Sequence, residues 1–572
     1  MTADQGPVFS VQDIPFSTFG SWLALSPVTA LHTVSEDVHL VSHQTGMHPV
    51  LRLVPRRNSA AVQATVTARP GLLSWHHDDG QLDATFEAAD TLRLRGRGLG
   101  LRLSAAAARL TPFSGTYFLH DPIAGAYVFT SYETGRRYRI TPLLGAATQH
   151  DGGQALGAGE RGVTFGEDGL PWEVAVEEYR SSRTRYVPGV GFDEAARLDR
   201  QRYDTFVDDV APWRSSDTPA AGLAAYVMWS ATVGPAGFLR RPSVLMSKHW
   251  MDKVWSWDHC FNALALGEGR PALAWDQYQV PFDHQDEAGA LPDSVAHSEV
   301  LYNFVKPPIH GWALRMLRGT LGEPLGRAEL ETAYRQLERW TDFWTGFRTA
   351  PGSALPHYQH GNDSGWDNST SFDRERVIES ADLTAFLVLQ LRELAATATE
   401  LGRHRDAARH AAAADQLLGD LLEHLWKDDH FVSRSVEDGR TWGSRSLLNL
   451  MPIVLGAELP AAVSKHLAQR IRVHLTDFGL ATEDPASPLY QADGYWRGPI
   501  WAPSTLLVED GLRRAGHVDL ADEVSRRFRG LCESHGFAEN FDAVTGEGLR
   551  DRAYTWTASV YLVLAAAHAR RC

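Results

Sequence analysis

Cysteine is scarce in this 572-residue sequence, which contains only Cys260, Cys532 and Cys572. Three scattered cysteines cannot build a disulfide framework, and no Cys-x-x-Cys or Cys/His spacing typical of a zinc site occurs. Basic charge is also in short supply, because 55 Lys and Arg stand against 70 Asp and Glu, a formal net charge of −15. Nucleic-acid binding therefore has little electrostatic support.

Signals for export and for membrane insertion are weak as well. The N-terminal MTADQGPVFS has neither a basic nor an apolar segment of a signal peptide, which predicts a cytoplasmic protein. Residues 218–239 are uncharged and long enough to span a bilayer, but their Gly, Pro, Ser, Thr and Ala favour a buried helix. Residues 553–569 are also uncharged but short, and no membrane partner is predicted. No nucleotide-binding, zinc-protease or serine-nucleophile motif occurs in a telling context.

The first third of the sequence has the alternation of β-strands. Leucines at 92, 94, 99, 101 and 103 alternate with Arg or Gly, and residues 48–54, 61–68 and 172–177 are further strand candidates. Many short strands separated by turns predict an N-terminal β-sandwich-like domain over residues 1–187. Residues 188–217 are predicted to form a linker that contains a charged helix over about 193–209.

From residue 218 the apolar period becomes helical, with about twelve runs. The runs lie near 220–233, 257–267, 271–280, 307–319, 327–349, 379–400, 403–426, 443–455, 460–474, 499–515, 517–533 and 553–570. Long loops rich in Gly, Pro, Asp and aromatics separate many of them, and such loops are usually functional. Paired helices predict a mainly α fold, with an (α/α)6 barrel as catalytic domain over residues 218–572. A helical solenoid is the alternative, but no sequence repeat supports it.

Tryptophan is the abundant residue type, and 14 of the 18 follow residue 217. Four loop segments combine Trp with a carboxylate or Arg: Trp255–Asp258, Gly361–Ser369, Tyr495–Trp501, and Phe537–Asp542 continuing to Tyr554–Thr557. Indole faces suit the C–H patches of sugars, and polar groups suit hydroxyls, so a sugar site is predicted. We expect Trp229, Trp340, Trp344 and Trp426 in the core, and Trp255, Trp257, Trp366, Trp496, Trp501 and Trp556 facing the sugar.

Glycoside hydrolysis requires two carboxyl groups across the scissile bond. Asp367 lies between Trp366 and Asn368, where desolvation against indole would raise its pKa and suit a general acid. Glu539, before the last helix, is the candidate base. The alternatives are a loop-fixing or capping Asp367, a surface or capping Glu539, and Glu547 as a rival base.

Further polar residues of these segments are predicted to bind substrate: Asp258, Lys306, Asp363, Asn368, Tyr495 and Arg497. Asp363 and Asp373 could instead brace their loop, Lys306 could be a solvated flank, and Asp293 could bind a hydroxyl or cap a helix. His76, in a His-His-Asp-Asp run, could bind a metal, but it lies beside a turn in the β region. No metal ligand and no cofactor are predicted.

Taken in order, seven motifs resemble glycoside hydrolase family 63 and its relatives. They are Trp255-Ser-Trp-Asp, Leu291-Pro-Asp, Lys306-Pro-Pro, Ser364-Gly-Trp-Asp-Asn-Ser, Tyr495-Trp-Arg-Gly-Pro-Ile-Trp, Thr545-Gly-Glu-Gly and Tyr554-Thr-Trp-Thr. The group includes α-glucosidases and mannosylglycerate and glucosylglycerate hydrolases, and is related to trehalases and glycogen-debranching enzymes. The resemblance implies an (α/α)6 barrel, inversion at the anomeric carbon and no metal in the chemistry. It also implies that Asp367 is the acid, that Glu539 is the base, and that the Trp, Tyr-Trp-Arg and Lys-Pro-Pro motifs form subsite walls.

The sequence therefore predicts an exo-acting, inverting α-glycosidase, an α-glucosidase on a small α-glucoside or oligosaccharide. Its partner would be a small carbohydrate, and its oligomeric state is open. Two alternatives remain, a polysaccharide lyase on the same toroid and a non-catalytic sugar-binding protein. The lyase would require a Tyr/His pair and a basic cleft, and the binding protein would lack two competent carboxylates.

Overall fold

A computed structural model describes residues 6–150 and 156–571, which form two units. The first unit holds the chain up to Pro212, together with Ala225–Lys253 and Ala296–Ser298. The second holds Trp213–Ala224, Val254–Val295 and the chain from Glu299 onward. Cys572 and residues 1–5 of the N-terminal segment lie outside the described residues. The domain limits at residues 187 and 217 stay predictions.

Two antiparallel sheets form most of the first unit. The seven-stranded sheet has the order Leu23–Ala30, Thr33–Ser42, His48–Arg57, Gly100–Ala105, Gly162–Phe165, Ala147–His150, with Ala60–Ala61 beside His48–Arg57. The eight-stranded sheet has the order Thr116–Asp121, Ala126–Ser131, Arg137–Leu144, Trp172–Tyr179, Thr91–Arg97, Gly80–Ala88, Leu72–His77, Thr65–Arg69. Phe165 of one sheet stacks on Trp172 of the other with ring centroids 5.8 Å apart, so apolar faces of the two sheets meet.

The leucine alternation explains the register of these strands. Leu92 and Leu94 are buried in strand Thr91–Arg97. Arg93 between them is also buried, but it is ion-paired with Glu87 and Glu173, which satisfies its charge. The charged helix predicted for the linker spans Phe192–Val210 and packs against strand Gly80–Ala88.

Helices dominate the second unit. They are Asp258–Leu266, Pro271–Gln279, His310–Thr320, Arg327–Phe347, Ala381–Glu400, His404–Leu425, Ala461–His474, Ala502–Arg514, Val518–His535 and Thr555–Ala569. The helix that precedes them, Ala221–Ala231, belongs to the first unit from Ala225 onward. The segment predicted as a helix over 443–455 is a 3-10 helix, Leu447–Glu458, which contains Pro452 and a kink at Gly456. Proline removes one backbone donor and glycine permits the positive φ of 62° at residue 456, so this segment departs from α geometry.

Six of these segments, called the inner ring below, pack in a closed cycle, each against the next and the last against the first. In order they are Asp258–Leu266, His310–Thr320, Ala381–Glu400, Leu447–Glu458, Ala502–Arg514 and Thr555–Ala569. Helices Pro271–Gln279, Arg327–Phe347, His404–Leu425, Ala461–His474 and Val518–His535 each pack on one or two members of this ring. The fold class is thus mainly helical in this unit, and its description as an (α/α)6 barrel stays a prediction.

Inner-ring segments such as Leu447–Glu458 and Thr555–Ala569 are apolar because they are buried along most of their length. Helix Thr555–Ala569, one of the two uncharged stretches, is buried over its first turns, including Trp556, Val560 and Leu564. Helices such as Arg327–Phe347 instead alternate buried and exposed positions, as amphipathic outer helices do. Among the described residues, no helix combines the length and the apolar character needed to cross a bilayer.

Candidate active site

The predicted site residues gather at the N-terminal ends of three inner-ring helices. Asp258 is the first residue of its helix, Trp501 immediately precedes Ala502–Arg514, and Tyr554 immediately precedes Thr555–Ala569. Unpaired backbone N–H groups at such ends favour nearby negative charge. The ends of these helices therefore suit a group of carboxylates.

Five tryptophans of the four segments form one packed cluster, called the tryptophan cluster below: Trp257, Trp366, Trp496, Trp501 and Trp556. Trp496 stacks on Trp501 with ring centroids 4.1 Å apart and lies tilted against Trp366 with centroids 4.7 Å apart. Trp257 and Trp556 lie edge-to-face at 5.8 Å. All five indoles are at most 3% exposed, so they bury most of their faces against one another. Trp255, the sixth tryptophan predicted to face the sugar, is half-buried. Contact of these six side chains with a sugar stays a prediction.

The tryptophans predicted for the core show one difference from expectation. Trp229, Trp340 and Trp344 are buried within their helices. Trp426 is only half-buried, because helix His404–Leu425 ends one residue earlier and Trp426 begins a short strand.

Lys306 lies among three carboxyl groups rather than in solvent. Its Nζ is 3.3 Å from Oδ1 of Asp293 and 3.9 Å from Oδ1 of Asp367, and it donates to the carbonyl of Asn362 at 3.0 Å. Burial opposes its charge, but the surrounding carboxyl groups raise the pKa of Lys306; they belong to Asp367, Asp293 and Asp258. Lys306 is thus a charged ammonium fixed inside the carboxyl cluster.

Asp258 is the most deeply desolvated carboxyl of this cluster. Burial raises the pKa of Asp258 to about 8, although Lys306 acts against this, and Asp293 and Asp367 add to it. Its Oδ2 has no hydrogen-bond partner among the described residues. A buried and unpaired carboxyl oxygen is costly unless a ligand satisfies it.

The backbone of the loop that carries Asp367 is fixed by a close contact at Gly365 and by hydrogen bonds to Asp363. Gly365 has φ 73°, and a Cβ there would lie 2.6 Å from the ring of Trp257, so only glycine fits. Asp363 accepts hydrogen bonds from Arg348 at 2.8 Å and from the backbone N–H groups of Gln359 and Val305. These contacts are those of a residue that braces the loop.

Asp367 itself is accessible, with 27% of its side chain exposed. Burial raises the pKa of Asp367, and Asp293 adds to the rise. Lys306 and a hydrogen bond with Tyr495 act in the opposite direction. A reachable carboxyl whose proton is retained to higher pH has the properties of a general acid.

Two predicted substrate residues join the Asp367 loop to the segment around residue 495. Asn368 donates to the carbonyl of Gly494 at 3.0 Å and accepts from the N–H of Trp496 at 3.0 Å. Arg497 donates to the carbonyl of Asn368 at 2.7 Å and pairs with Asp373. Asn368 and Arg497 therefore hold the Asp367 loop against the segment around Tyr495. Their contact with substrate stays a prediction.

Glu539 is buried beside the last inner-ring helix, with 4% exposure. Its N–H donates to the carbonyl of Asp551 at 2.7 Å, and its own carbonyl accepts from the indole of Trp556. Burial raises the pKa of Glu539 to about 8, with Asp551 and Asp258 adding and Arg550 opposing. Glu547 is exposed in the adjoining hairpin, which makes it a poorer candidate for the base.

The residue whose role the sequence did not indicate is Arg550. It contacts the ring of Tyr495 and the side-chain amide of Asn540, which belong to two of the four segments. An arginine in a polar loop is usually solvated, so no sequence signal distinguished it. Its position in the hairpin next to the Glu539 segment was the available clue.

One group of side chains among the described residues has the spacing to hold a metal ion. It consists of Asp420, Glu423 and His424, and none of the candidate site residues belongs to it. His76 does not belong to it either.

Comparisons with known proteins give a consistent picture. The model of the mannosylglycerate hydrolase MGH1-like glycoside hydrolase domain matches residues 251–557, more than half of the chain. The mannosylglycerate hydrolase of Rubrobacter radiotolerans is 25% identical over 398 residues, 54% of this chain and 89% of the relative. Mannosylglycerate hydrolase MGH1 of Selaginella moellendorffii is 22% identical over 385 residues, 54% of this chain and 79% of the relative.

A solved structure adds a likeness of fold. The GH63 mannosylglycerate hydrolase from Thermus thermophilus in complex with glucose superposes with a TM-score of 0.53 at 20% identity, over 60% of this chain and 98% of its own. All residues of the carboxyl cluster and the tryptophan cluster fall inside the matched range 251–557.

Proposed function

Because the chain belongs to the mannosylglycerate hydrolase MGH1-like glycoside hydrolase family, we propose that it is an exo-acting, inverting α-glycosidase of small α-glycosides. It is a glycoside hydrolase of GH63 type, and the anomeric configuration, the sugar and the outcome at the anomeric carbon are the proposed part. An α-glucoside is the first substrate class to test. The relatives' names add α-mannosides of glycerate as the second.

The observation that carries the proposal is the convergence of two unlike carboxyls. Asp367 and Glu539 come from different segments, yet both adjoin the tryptophan cluster, because Asp367 follows Trp366 and the carbonyl of Glu539 accepts from the indole of Trp556. One of the two carboxyls is accessible and the other is buried. Two carboxyls in different surroundings at one centre suit an acid and a base.

In the proposed reaction, the carboxyl of Asp367 donates its proton to the glycosidic oxygen. As the bond between that oxygen and the anomeric carbon breaks, a water oxygen attacks the carbon from the opposite face, and Glu539 takes the proton of this water. The product carries the inverted configuration. Asp367 ends as carboxylate and Glu539 as carboxylic acid, so one proton must return to Asp367 and one must leave Glu539 before the next turnover.

The remaining groups have supporting roles in this proposal. The unpaired Oδ2 of Asp258 is available to accept from a sugar hydroxyl. Lys306 offsets the negative charge that Asp367 acquires in the reaction. The closed inner ring supports an (α/α)6 barrel, in which loops before the inner helices surround the pocket.

The test is hydrolysis of a panel followed by proton NMR of the first product. The panel holds trehalose, α-glucosylglycerate, α-mannosylglycerate and the 4-nitrophenyl α-glycosides of glucose and mannose. Trehalose tests hydrolysis alone, because its leaving group is itself α-glucose. On the other four substrates we expect release of a monosaccharide whose β-anomer appears before mutarotation. First appearance of the α-anomer would show retention, and an unsaturated product would identify a lyase; either result contradicts the proposal.

A further inference from the structure

Two large residues of the second unit have backbone angles that side chains rarely adopt. Tyr495 and Arg550 both have φ 62°. The other positive-φ residues besides glycine in the described chain lie in tight hairpin turns: His32, Asn58, Ser59, Asp78 and Asp428. Such conformations are costly for bulky side chains, and they persist where the surrounding structure holds them, often at functional sites.

The two strained residues contact each other. The guanidinium of Arg550 lies over the ring of Tyr495, 5.1 Å from its centroid, at a distance where cation and π system attract. The same guanidinium donates to Oδ1 of Asn540 at 2.9 Å and pairs with Asp493 at 2.7 Å. Arg550 therefore joins the segment of Tyr495 to the segment of Glu539.

Each end of this connection lies next to a reacting carboxyl. Tyr495 precedes Trp496, whose N–H donates to Oδ1 of Asn368, the neighbour of Asp367 in the chain. Asn540 is the neighbour of Glu539 in the chain and begins the short strand Asn540–Phe541. A shift of Arg550 would thus move both carboxyls relative to each other, and distances between acid, base and substrate control the rate.

We propose that Arg550 is a positioning residue, which with Tyr495 holds the Asp367 loop and the Glu539 segment at a fixed separation. This inference rests on the proposed function. No assignment of Arg550 follows from the family match, which defines a range of residues rather than roles.

The charge of Arg550 also affects the pKa of the Glu539 carboxyl. The negative charges of Asp551 and Asp258 raise the pKa of Glu539. The charge of Glu539 in turn raises the pKa of the phenols of Tyr495 and Tyr554. Arg550 is the cation among these neighbours, and after burial and Asp551 it is the strongest influence on the pKa of Glu539, in the downward direction. Removal of Arg550 must therefore raise this pKa.

The experiment compares Arg550→Gln, Arg550→Lys and Arg552→Gln with the unmodified chain. Arg550→Gln removes the charge and the stacking, whereas Arg550→Lys retains a charge without the fork that reaches Asn540 and Asp493 together. Arg552→Gln removes an equal charge from the same hairpin; the Arg552 guanidinium points at Gly548, where a Cβ would lie 2.2 Å from its Nη1. The readouts are kcat and KM separately, and kcat/KM as a function of pH.

For Arg550→Gln we expect kcat to fall about tenfold or more with KM changed less than threefold, factors typical of a lost positioning contact. The acidic limb of kcat/KM should move to higher pH, because the base now loses its proton later. In Arg550→Lys the acidic limb of kcat/KM should lie at the pH of the unmodified chain, while kcat stays low. In Arg552→Gln the acidic limb should not move.

An unmoved limb in Arg550→Gln, or an equal movement in Arg552→Gln, overturns the inference. If Arg550→Gln does not fold, as judged by circular dichroism, the limb and kcat of Arg550→Lys decide in its place. Glu539→Gln distinguishes failure of the proposed function from failure of the role of Arg550. Full activity in Glu539→Gln would refute Glu539 as the base and hence the proposed function. Loss of activity there together with a normal Arg550→Gln refutes only the role of Arg550.

Discussion

Opposing influences act on the pKa of the Asp367 side chain. Lys306 and Tyr495 stabilise its ionised form, while burial and Asp293 stabilise its protonated form, and the pKa of Asp367 is raised on balance. A general acid requires this balance, because it must hold a proton in the free enzyme and release it readily in the transition state.

Asp367→Asn should therefore remove proton donation and little else. We expect kcat on an alkyl glycoside to fall by about 10²–10⁴-fold, the usual contribution of a general acid. On a 2,4-dinitrophenyl glycoside the loss should be far smaller, because that leaving group departs without a proton. An equal loss on both substrates would show that Asp367 has another role.

The pH profile should reveal the desolvated base. As the proposed base, Glu539 is required in its deprotonated form, so we expect kcat/KM to rise with pH through the pKa of Glu539, which burial has raised to about 8. We expect the acidic limb well above the ordinary value for glutamate, near neutral or mildly alkaline pH, as a property shared with Asp258 and Asp367. Glu547→Gln is the control and should leave the profile unchanged, whereas a limb near the ordinary 4.5 would contradict the assignment of Glu539.

Single-residue roles could be predicted from the sequence where a motif isolates them. Asp367 and Glu539 follow from their aromatic surroundings, and Lys306 was left between two alternatives that only the positions of Asp293 and Asp367 distinguish. The brace formed by Asp363 and the packing of the tryptophans against one another depend on contacts between distant segments. No local pattern encodes such contacts.

At the level of elements, the inner ring depends on close approach of its helices. Gly311 of helix His310–Thr320 faces Gln390 of helix Ala381–Glu400, and a Cβ at Gly311 would lie 2.4 Å from the Cα of Gln390. Gly511 of helix Ala502–Arg514 meets the carbonyl of Ile453 in the same way, with 2.5 Å to a built Cβ. The ring is therefore closed by glycines at two of its contacts.

Gly311→Ala should force the two helices apart. We expect a loss of about 1–3 kcal/mol in the free energy of unfolding, the usual cost of overpacking, measured by urea denaturation. The matched control is Gly319→Ala in the same helix, where a built Cβ meets nothing within 4 Å. That change should stabilise by up to about 1 kcal/mol through helix propensity. Equal effects of the two substitutions would mean that Gly311 does not limit the helix spacing.

Helix positions were predicted well because the amphipathic period is strong over long segments. The helices predicted over 327–349 and 403–426 are found at Arg327–Phe347 and His404–Leu425. The 3-10 geometry of Leu447–Glu458 was not anticipated, because Pro452 and Gly456 act against a strong apolar run. A ring of helices was expected from the paired helical runs and from the resemblance, but periodicity alone does not say which helices meet.

For the molecule as a whole, the buried carboxyls of the site lower stability. A carboxyl whose folded pKa lies above its unfolded value stabilises the folded state least at high pH, since the folded state then loses a proton that it held more tightly. For Glu539 this penalty is absent below about pH 4.5 and fully present above about pH 8.

Glu539→Gln should thus raise the midpoint of thermal unfolding at pH 8 and have little effect at pH 4.5. The gain at pH 8 should be of the order of a few kcal/mol, the scale set by the pKa shift. Differential scanning calorimetry at both pH values measures it, and Glu547→Gln, an exposed carboxyl, should show no such difference. A destabilised Glu539→Gln in the alkaline scan would show that the carboxylate is held by contacts that outweigh its burial.

The closed ring also sets an order of events during synthesis. Asn262, near the start of the second unit, is hydrogen-bonded to Thr555 and Ser559 of the last helix, almost three hundred residues later. The carboxyls of the reaction centre all leave the ribosome before that helix does, so a nascent chain can hold both proposed reacting groups without the wall that Trp556 supplies. Contacts so distant in sequence form late, and they expose the unfinished ring to the cell in the meantime. The ring is complete only when the final helix packs between its first and fifth members.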